Sequence, residues 1–472
     1  MNKNELSALA SQIKTKEDYL SILNQLKLEE SLRFEYSYCL DHYHPLTINH
    51  LNYYCNPENE YHRYRRFKIK KKSGGNRLIT SPNNYSYKAL LHYTNVILKS
   101  LYTPSDYTMG FTEGRSVARN ANVHVGQRYI FNIDLKDFFT NIRRSQVSKR
   151  LQQKPFCFPK DVAFLIAGIC CMKVKTKNGT SYVLPQGAPT SPILTNMVCD
   201  KLDYRLAGLA KKYNLRYTRY ADDITFSSMH NVYREGSNFN KHLKEIIESY
   251  QFQINENKTR LQKRGSRQEV TGIIVSDKIN VNQKYVRDIR NLLYIWGRYG
   301  YSAAYSRFYR KYMTEKGHVK NGTPNMTNVI IGKLQYLRMV KGNDDSVYCS
   351  LYDKFIKLLK REYPQGHHFK VHYAETMSIS TFEEKTQSEV VIKINKSNGS
   401  RLAYFLLGEE KIHIYIKRDI PNSKLIKENL NISHCIDLKF SKDKPFWFIH
   451  YPYDYCPTLH DIEIEKSLQQ FD

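Results

Sequence analysis

The stretch RYTRYADDITFSS, residues 216–228, constrains this chain more than any other. Aromatic or apolar residues alternate with polar ones on both sides of Asp222-Asp223. That period of two predicts a β-hairpin whose turn holds two adjacent carboxylates. Like charges about 4 Å apart repel unless a cation, a proton or hydrogen bonds compensate them. A solvated acidic turn would satisfy the pattern by itself, so a functional site requires a third carboxylate. The segment RYIFNIDLKDFFTNI supplies one, because its apolar strand runs into Asp134, 88 residues before Asp222. Three aspartates on one rim offer hard oxygen ligands for two divalent ions about 3.5 to 4 Å apart, the arrangement that clamps attacking and leaving oxygens in phosphoryl transfer. Two Mg²⁺ ions are the expected cofactor.

Charge narrows the partner class. The chain carries a formal net charge of +28, and residues 371–472 hold 13 Lys/Arg against 15 Asp/Glu, leaving 60 against 30 on residues 1–370. A basic surface with 38 tyrosines suits phosphates and stacked bases, so nucleic acid is the expected partner of the first 370 residues. Nine cysteines without C-x-x-C spacing predict reduced thiols rather than a disulfide framework or a zinc site. No apolar run is long enough to span a bilayer, and the N-terminus lacks a signal peptide's apolar segment. The expectation is a soluble, cytoplasmic protein with no membrane partner.

Along the chain, residues 1–60 read as helical, YRRFKIKKKSGGNRLITSP as strand, Gly-Gly turn and strand, and 83–104 as an amphipathic helix. Ser116 is placed to cap a helix carrying Asn120 and His124 on one face at i, i+4. LPQGAPTSP punctuates the start of another helix. From 284 to 363 the pattern is helical and basic. Short alternating runs such as EVVIKIN, RLAYFLLG and KIHIYIK then predict a small β-rich C-terminal domain. The expected division is therefore 1–283, 284–364 and 371–472, in an α+β chain.

The ordered set NIDLKDFF, LPQGAPTSP, YADDITFS, NENKTRL and VTGIIV resembles the palm motifs of reverse transcriptases over roughly residues 60–345. NANVH at 120–124 and VTG at 270–272 make it most similar to the bacterial retron enzymes. The resemblance implies a right-hand polymerase fold of fingers, palm and thumb, with 284–364 as thumb. It implies that Asp134, Asp222 and Asp223 are the catalytic metal ligands and that Lys258 donates a proton to the pyrophosphate leaving group. Phe139 would meet the incoming sugar, where its ring would clash with a 2′-hydroxyl and favour dNTPs. Lys71, Lys72 and Arg77 would reach the triphosphate, and Gln186 and Gly187 would lie under template and nucleotide, where a residue without a Cβ permits close backbone approach. Asn120, His124 and Thr271 would contact RNA, with structural hydrogen bonding as the alternative for each. On the thumb, Arg287, Arg290, Arg298, Lys333, Arg338 and Lys341 would track a duplex backbone, while Tyr294, Trp296 and Tyr299 would pack or stack.

A retron enzyme copies a cognate structured noncoding RNA into single-stranded DNA from an internal guanosine 2′-hydroxyl. The resemblance thus implies a branched RNA-DNA product and a bacterial antiphage system with an effector protein encoded nearby. Two alternatives stay open: another defence-associated or intron-like reverse transcriptase with 3′-hydroxyl or protein priming, and a non-catalytic RNA-binding scaffold. The segment from 371 onward departs from compact retron enzymes. It is expected to be a binding or assembly module for RNA, the effector or a second copy of the chain.

Overall fold

The computed structural model describes residues 1–33, 44–70, 74–176, 179–316 and 325–362, with five strand segments between 390 and 449. The chain divides into two compact units, the first made mainly of Met1–Glu29 and His44–Gln283 and the second mainly of Lys284–Arg338 and the residues from Gly342 on.

The first unit is built around a four-stranded antiparallel sheet. Its strands are β3 (Tyr129–Asp134), β6 (Arg216–Tyr220), β7 (Asp223–Ser228) and β8 (Arg260–Lys263), in the order β6-β7-β3-β8. Alternation assigns the two faces. Tyr217, Ile224 and Phe226 are buried on one side, where Phe226 meets Phe239 edge-on at 5.3 Å from the helix Asn238–Ser249. The helix Ser191–Lys212 also packs against β6. Its Pro192 sits at the start, where no intrahelical N–H is needed, and Lys211 and Lys212 complement the dipole at its end. Thr218, Thr225 and Ser227 belong to the opposite face and are equally buried, so this sheet is covered on both sides.

Two separate hairpins interleave with the sheet strands in sequence, β1 (Tyr64–Lys70) with β2 (Asn76–Pro82) before β3, and β4 (Met172–Thr176) with β5 (Gly179–Val183) between β3 and β6. The helix Tyr85–Leu101 begins at Asn84, whose side chain accepts from the Tyr87 amide, and buries Tyr87, Leu90, Leu91, Thr94, Ile97 and Leu98 at helical spacing. Ser116 caps a helix as expected, accepting from the Arg119 amide, but that helix spans only Val117–Asn122. His124 therefore lies past its end, rather than sharing a helical face with Asn120.

In the second unit, the helix Gln283–Lys316 breaks at Gly300, whose φ of 84° only glycine adopts without cost. The helices Met326–Lys341 and Ser346–Glu362 follow. Trp296 is a core residue here: its ring lies 6.1 Å from that of Phe355, and its Nε1 donates to Glu362. Strands β12 (Val390–Ile394), β13 (Arg401–Leu407) and β14 (Glu410–Ile416) form an antiparallel sheet, and the segments Leu438–Lys439 and Phe448–Ile449 pair with each other. No described helix is long and apolar enough to cross a membrane.

Candidate active site

The paired register of β3 and β7 sets Asp134 directly opposite Asp223. Tyr220 pairs with Asp223, which leaves Ala221-Asp222 as a two-residue hairpin turn. Ala221 takes a φ of 56°, a left-handed conformation costing about 1 kcal/mol for a residue with a Cβ. The surroundings hold that turn. Arg219 donates from Nη1 to the Ala221 carbonyl at 3.1 Å, and the Leu135 amide donates to the Asp222 carbonyl at 3.1 Å. Gly110 lies so close that a Cβ there would sit 2.6 Å from the Ala221 nitrogen.

Beneath the turn is an ion pair with no exposure at all. Arg219 donates from Nε and Nη2 to both carboxylate oxygens of Asp203 at 2.7 and 2.6 Å. Tyr217 and Thr108 add hydroxyl bonds to the same carboxylate, each at 2.7 Å, and Asn196 accepts from Arg219 at 3.2 Å. Sequence reading missed this network. Arg219 looked like one polar residue of an alternating strand, and the clue was a positively charged side chain on the face shared with Tyr217.

The rim itself is electrostatically crowded. Loss of water around Asp223 raises its carboxyl pKa to about 6, and the charges of Asp222 and Asp134 push in the same direction. Asp222 is raised as well, by burial first and by Asp134, with Lys258 and Arg77 opposing. Arg77 on β2 is thus near enough to act on the Asp222 charge, whereas Lys71 and Lys72 lie outside the described residues. Asp134 is buried, and the Lys258 ammonium bonds both of its oxygens at 2.8 and 3.0 Å, while Asn255 donates to one at 2.9 Å. Among the described residues no three Asp, Glu, His or Cys side chains converge as a ready ligand set. The register nevertheless brings Asp134, Asp222 and Asp223 into one neighbourhood, with Asp134 engaged by Lys258. The donor chemistry still fits a divalent ion: all three are hard-oxygen carboxylates, and two of them have pKa values raised by burial first and by their neighbours' charge second.

Other expected residues have these surroundings. Phe139 is half-buried, its ring 5.7 Å from Phe138 and 6.1 Å from Phe111. Gly187 does permit a close approach, but the neighbour is protein. A Cβ there would meet the Thr80 carbonyl oxygen at 2.8 Å, and the Thr80 amide donates to the Gln186 carbonyl at 2.8 Å. The close approach to β2 is thus one reason this position holds a glycine.

His124 is a correction to the expected RNA contact. It has 0% exposure, and its ring nitrogens bond Ser227 Oγ at 2.7 Å and Thr218 Oγ1 at 2.8 Å, so both are consumed by the hairpin strands. Burial lowers its pKa to about 3 and keeps it neutral. Asn120 is buried too and donates to Thr271 Oγ1 at 3.3 Å. Thr271 and Gly272, both at positive φ, make the two-residue turn between strands β9 (Glu269–Val270) and β10 (Ile273–Val275). Hydrogen bonding, the alternative reading, thus describes Asn120 and His124.

In the second unit, Arg287, Arg290, Tyr294 and Arg298 recur every three or four residues on one helix and are all exposed. Tyr294 and Tyr299 face outward, unlike Trp296, and Lys333 is half-buried.

Comparison with known proteins agrees with this geometry. Residues 69–279 match the family described as Reverse transcriptase (RNA-dependent DNA polymerase). The Retron Ec86 reverse transcriptase of Escherichia coli is 34% identical over 233 residues, covering 48% of this chain and 68% of that protein. The Retron Mx65 reverse transcriptase of Myxococcus xanthus is 34% identical over 253 residues, covering 50% and 57%, and the Mx162 enzyme of the same organism is 32% identical over 224, covering 44% and 46%. The match thus spans between about half and two thirds of these relatives. A telomerase from Candida albicans in complex with a fragment of telomeric RNA overlaps 67% of this chain and 66% of that one, at 12% identity and a TM-score of 0.34, too loosely to bear on the fold. The family match and the Ec86 relationship together establish that this chain belongs to the retron-type reverse transcriptases.

Proposed function

We propose that this protein is the RNA-directed DNA polymerase of a retron, copying a cognate noncoding RNA into single-stranded DNA. The observation that carries the reading is the register that sets Asp134 opposite Asp223 with Asp222 on the adjoining turn. Asp134, Asp222 and Asp223 would hold Mg²⁺, two ions by family likeness, which would activate the attacking hydroxyl and neutralise the triphosphate. Arg77 would stabilise the phosphates. Lys258 would leave Asp134 to serve the departing pyrophosphate, and Phe139 would reject the 2′-hydroxyl of an NTP. Gln186 would position the template side of the nucleotide. The exposed stripe Arg287, Arg290 and Arg298, with Lys333, would follow an RNA backbone, and its affinity would fall with salt.

Priming from an internal guanosine 2′-hydroxyl, a branched product, a neighbouring effector and an antiphage role extend this reading from the family. So do the fingers, palm and thumb assignments and a docking role for the strands beyond 390. The test is to express the protein with its flanking locus, purify it, and treat the bound nucleic acid with RNase, DNase and a 2′,5′ debranching enzyme. A discrete DNA released from RNA by debranching is expected. The Asp222→Asn/Asp223→Asn variant should bind the RNA yet lower DNA yield at least roughly a thousand-fold. DNA made without a 2′,5′ bond would overturn branched priming, and undiminished synthesis by the variant would overturn the site.

A further inference from the structure

Phe111 is an exposed aromatic residue in a conformation that aromatic residues avoid. Its φ is 61°, it is 43% exposed, and its ring lies 6.1 Å from that of Phe139 at an interplanar angle of 48°. A left-handed backbone at a bulky residue persists only where the surroundings enforce it, and such strain gathers at functional sites.

The enforcement is visible. Met109 and Gly110 donate their amides to the Arg219 carbonyl, at 2.7 and 3.4 Å, and the Arg219 amide returns a bond to the Tyr107 carbonyl at 2.8 Å. Gly110 touches the backbone of Tyr220 and Ala221, with no space for a Cβ. The segment Thr108–Phe111 is therefore clamped to the turn that carries Asp222, and Phe111 projects from the clamp onto Phe139.

Phe139 stands on a turn of its own. Asp137 has a φ of 47°, and the Asn141 amide donates to the Asp137 carbonyl at 2.9 Å. On one side its ring meets Phe138, a core residue packed on Phe252 at 5.5 Å; Phe111 provides a second ring contact, from the exposed segment. A ring that excludes a hydroxyl by collision works only if it cannot yield, so its supports set how strictly it discriminates.

We propose that Phe111 is a positioning residue for sugar selection, holding the Phe139 ring in place against the incoming ribose and tying that ring to the aspartate turn. The proposal rests on the polymerase reading and on Phe139 as the sugar gate. Phe111 acts through Phe139 and is not itself catalytic.

The test uses the full chain on a primed RNA template, with separate kcat and KM values for dTTP and for UTP. Phe111→Ala is expected to raise the UTP-to-dTTP ratio of kcat/KM roughly three- to ten-fold, the worth of one aromatic contact. The change should fall mainly on the KM of UTP and be smaller than that of Phe139→Ala. Phe111→Leu, which keeps apolar bulk and guards against misfolding, should show part of the effect, and Phe111→Tyr should restore discrimination. An unchanged ratio in both Phe111→Ala and Phe111→Leu, with Phe139→Ala relaxed, would overturn the proposal alone, as would an equal loss for both nucleotides. If Phe139→Ala polymerises with its ratio unchanged, the gate assignment falls and this inference with it. Absence of DNA synthesis by the wild-type chain would instead defeat the polymerase reading.

Discussion

Asp134 and Asp203 each meet a cation at the same four-stranded sheet, Asp134 from β3 and Asp203 from the helix Ser191–Lys212, yet the two pairs are built for different purposes. Lys258 approaches Asp134 from a side chain that is 57% exposed, beside two further carboxylates whose pKa values are raised. Arg219 meets Asp203 without any exposure, and every oxygen of that carboxylate has a donor. The first pair is solvated on one side and exchangeable. The second is expensive to desolvate and costly to break, so it acts as a fixed anchor for the turn above it. The hairpin thus carries unmet charge at its tip and fully met charge one layer down.

Breaking the anchor should produce the largest loss of stability. Arg219→Met leaves Asp203 charged and unpaired, at a cost of about 3–5 kcal/mol in urea denaturation. Adding Asp203→Leu should return most of that stability, but DNA synthesis should stay impaired because the Ala221 carbonyl has lost its donor. A single variant within about 1 kcal/mol of wild type would end the contrast between anchor and rim.

His124 braces the same hairpin from its opposite face and should show a pH signature. Its folded pKa is near 3 while the unfolded value is about 6.5, so in acid the unfolded chain takes up a proton that the folded chain refuses. This contribution to stability is complete above about pH 6.5 and is lost as pH falls toward 3, with a slope of up to about 1.4 kcal/mol per unit. His124→Gln should lack that slope and cost about 1–3 kcal/mol at pH 7 in the same titration of urea midpoints. A wild-type slope that persists in the variant would assign it elsewhere.

The smallest effect belongs to the rim, and its sign is opposite. Asp223 has a raised folded pKa, so its protonated form is favoured at low pH, and that stabilising contribution disappears as pH rises through about 6. At neutral pH its charge therefore opposes folding. Asp223→Asn should raise metal-free stability by about 1 kcal/mol at pH 7.5, a modest figure because the residue remains exposed on one side although its carboxylate has lost part of its water, and the gain should fade by pH 4. Thermal melting at the two pH values checks it. A destabilised variant at pH 7.5 would show that the carboxylate is already neutralised.

Much of the site was legible locally. Asp134 stood at the end of an apolar strand, and alternation on both sides of Asp222-Asp223 announced the hairpin. The neighbours of these residues were harder to read. Lys258 stood out as a motif lysine, but its contact with Asp134 joins residues 124 apart. His124 resembled a helical surface residue because Ser116 capped a real helix, and only the end of that helix at Asn122 and the overlying strands bury it. Gly187 signalled a close approach without saying to what.

The sequence by itself determined the elements and the chemistry of the rim: period-two strands, a two-residue turn, three carboxylates, a basic first 370 residues and the motif order that marks the family. These depend on a few consecutive residues and survive any packing. Tertiary structure decided which carboxylate is paired and which is crowded, that His124 is a brace, that Gly187 faces β2, and that Phe111 rests on Phe139. Those outcomes depend on segments up to 124 residues apart being pressed together, where burial and charge set each side chain's energy according to neighbours that no local pattern encodes.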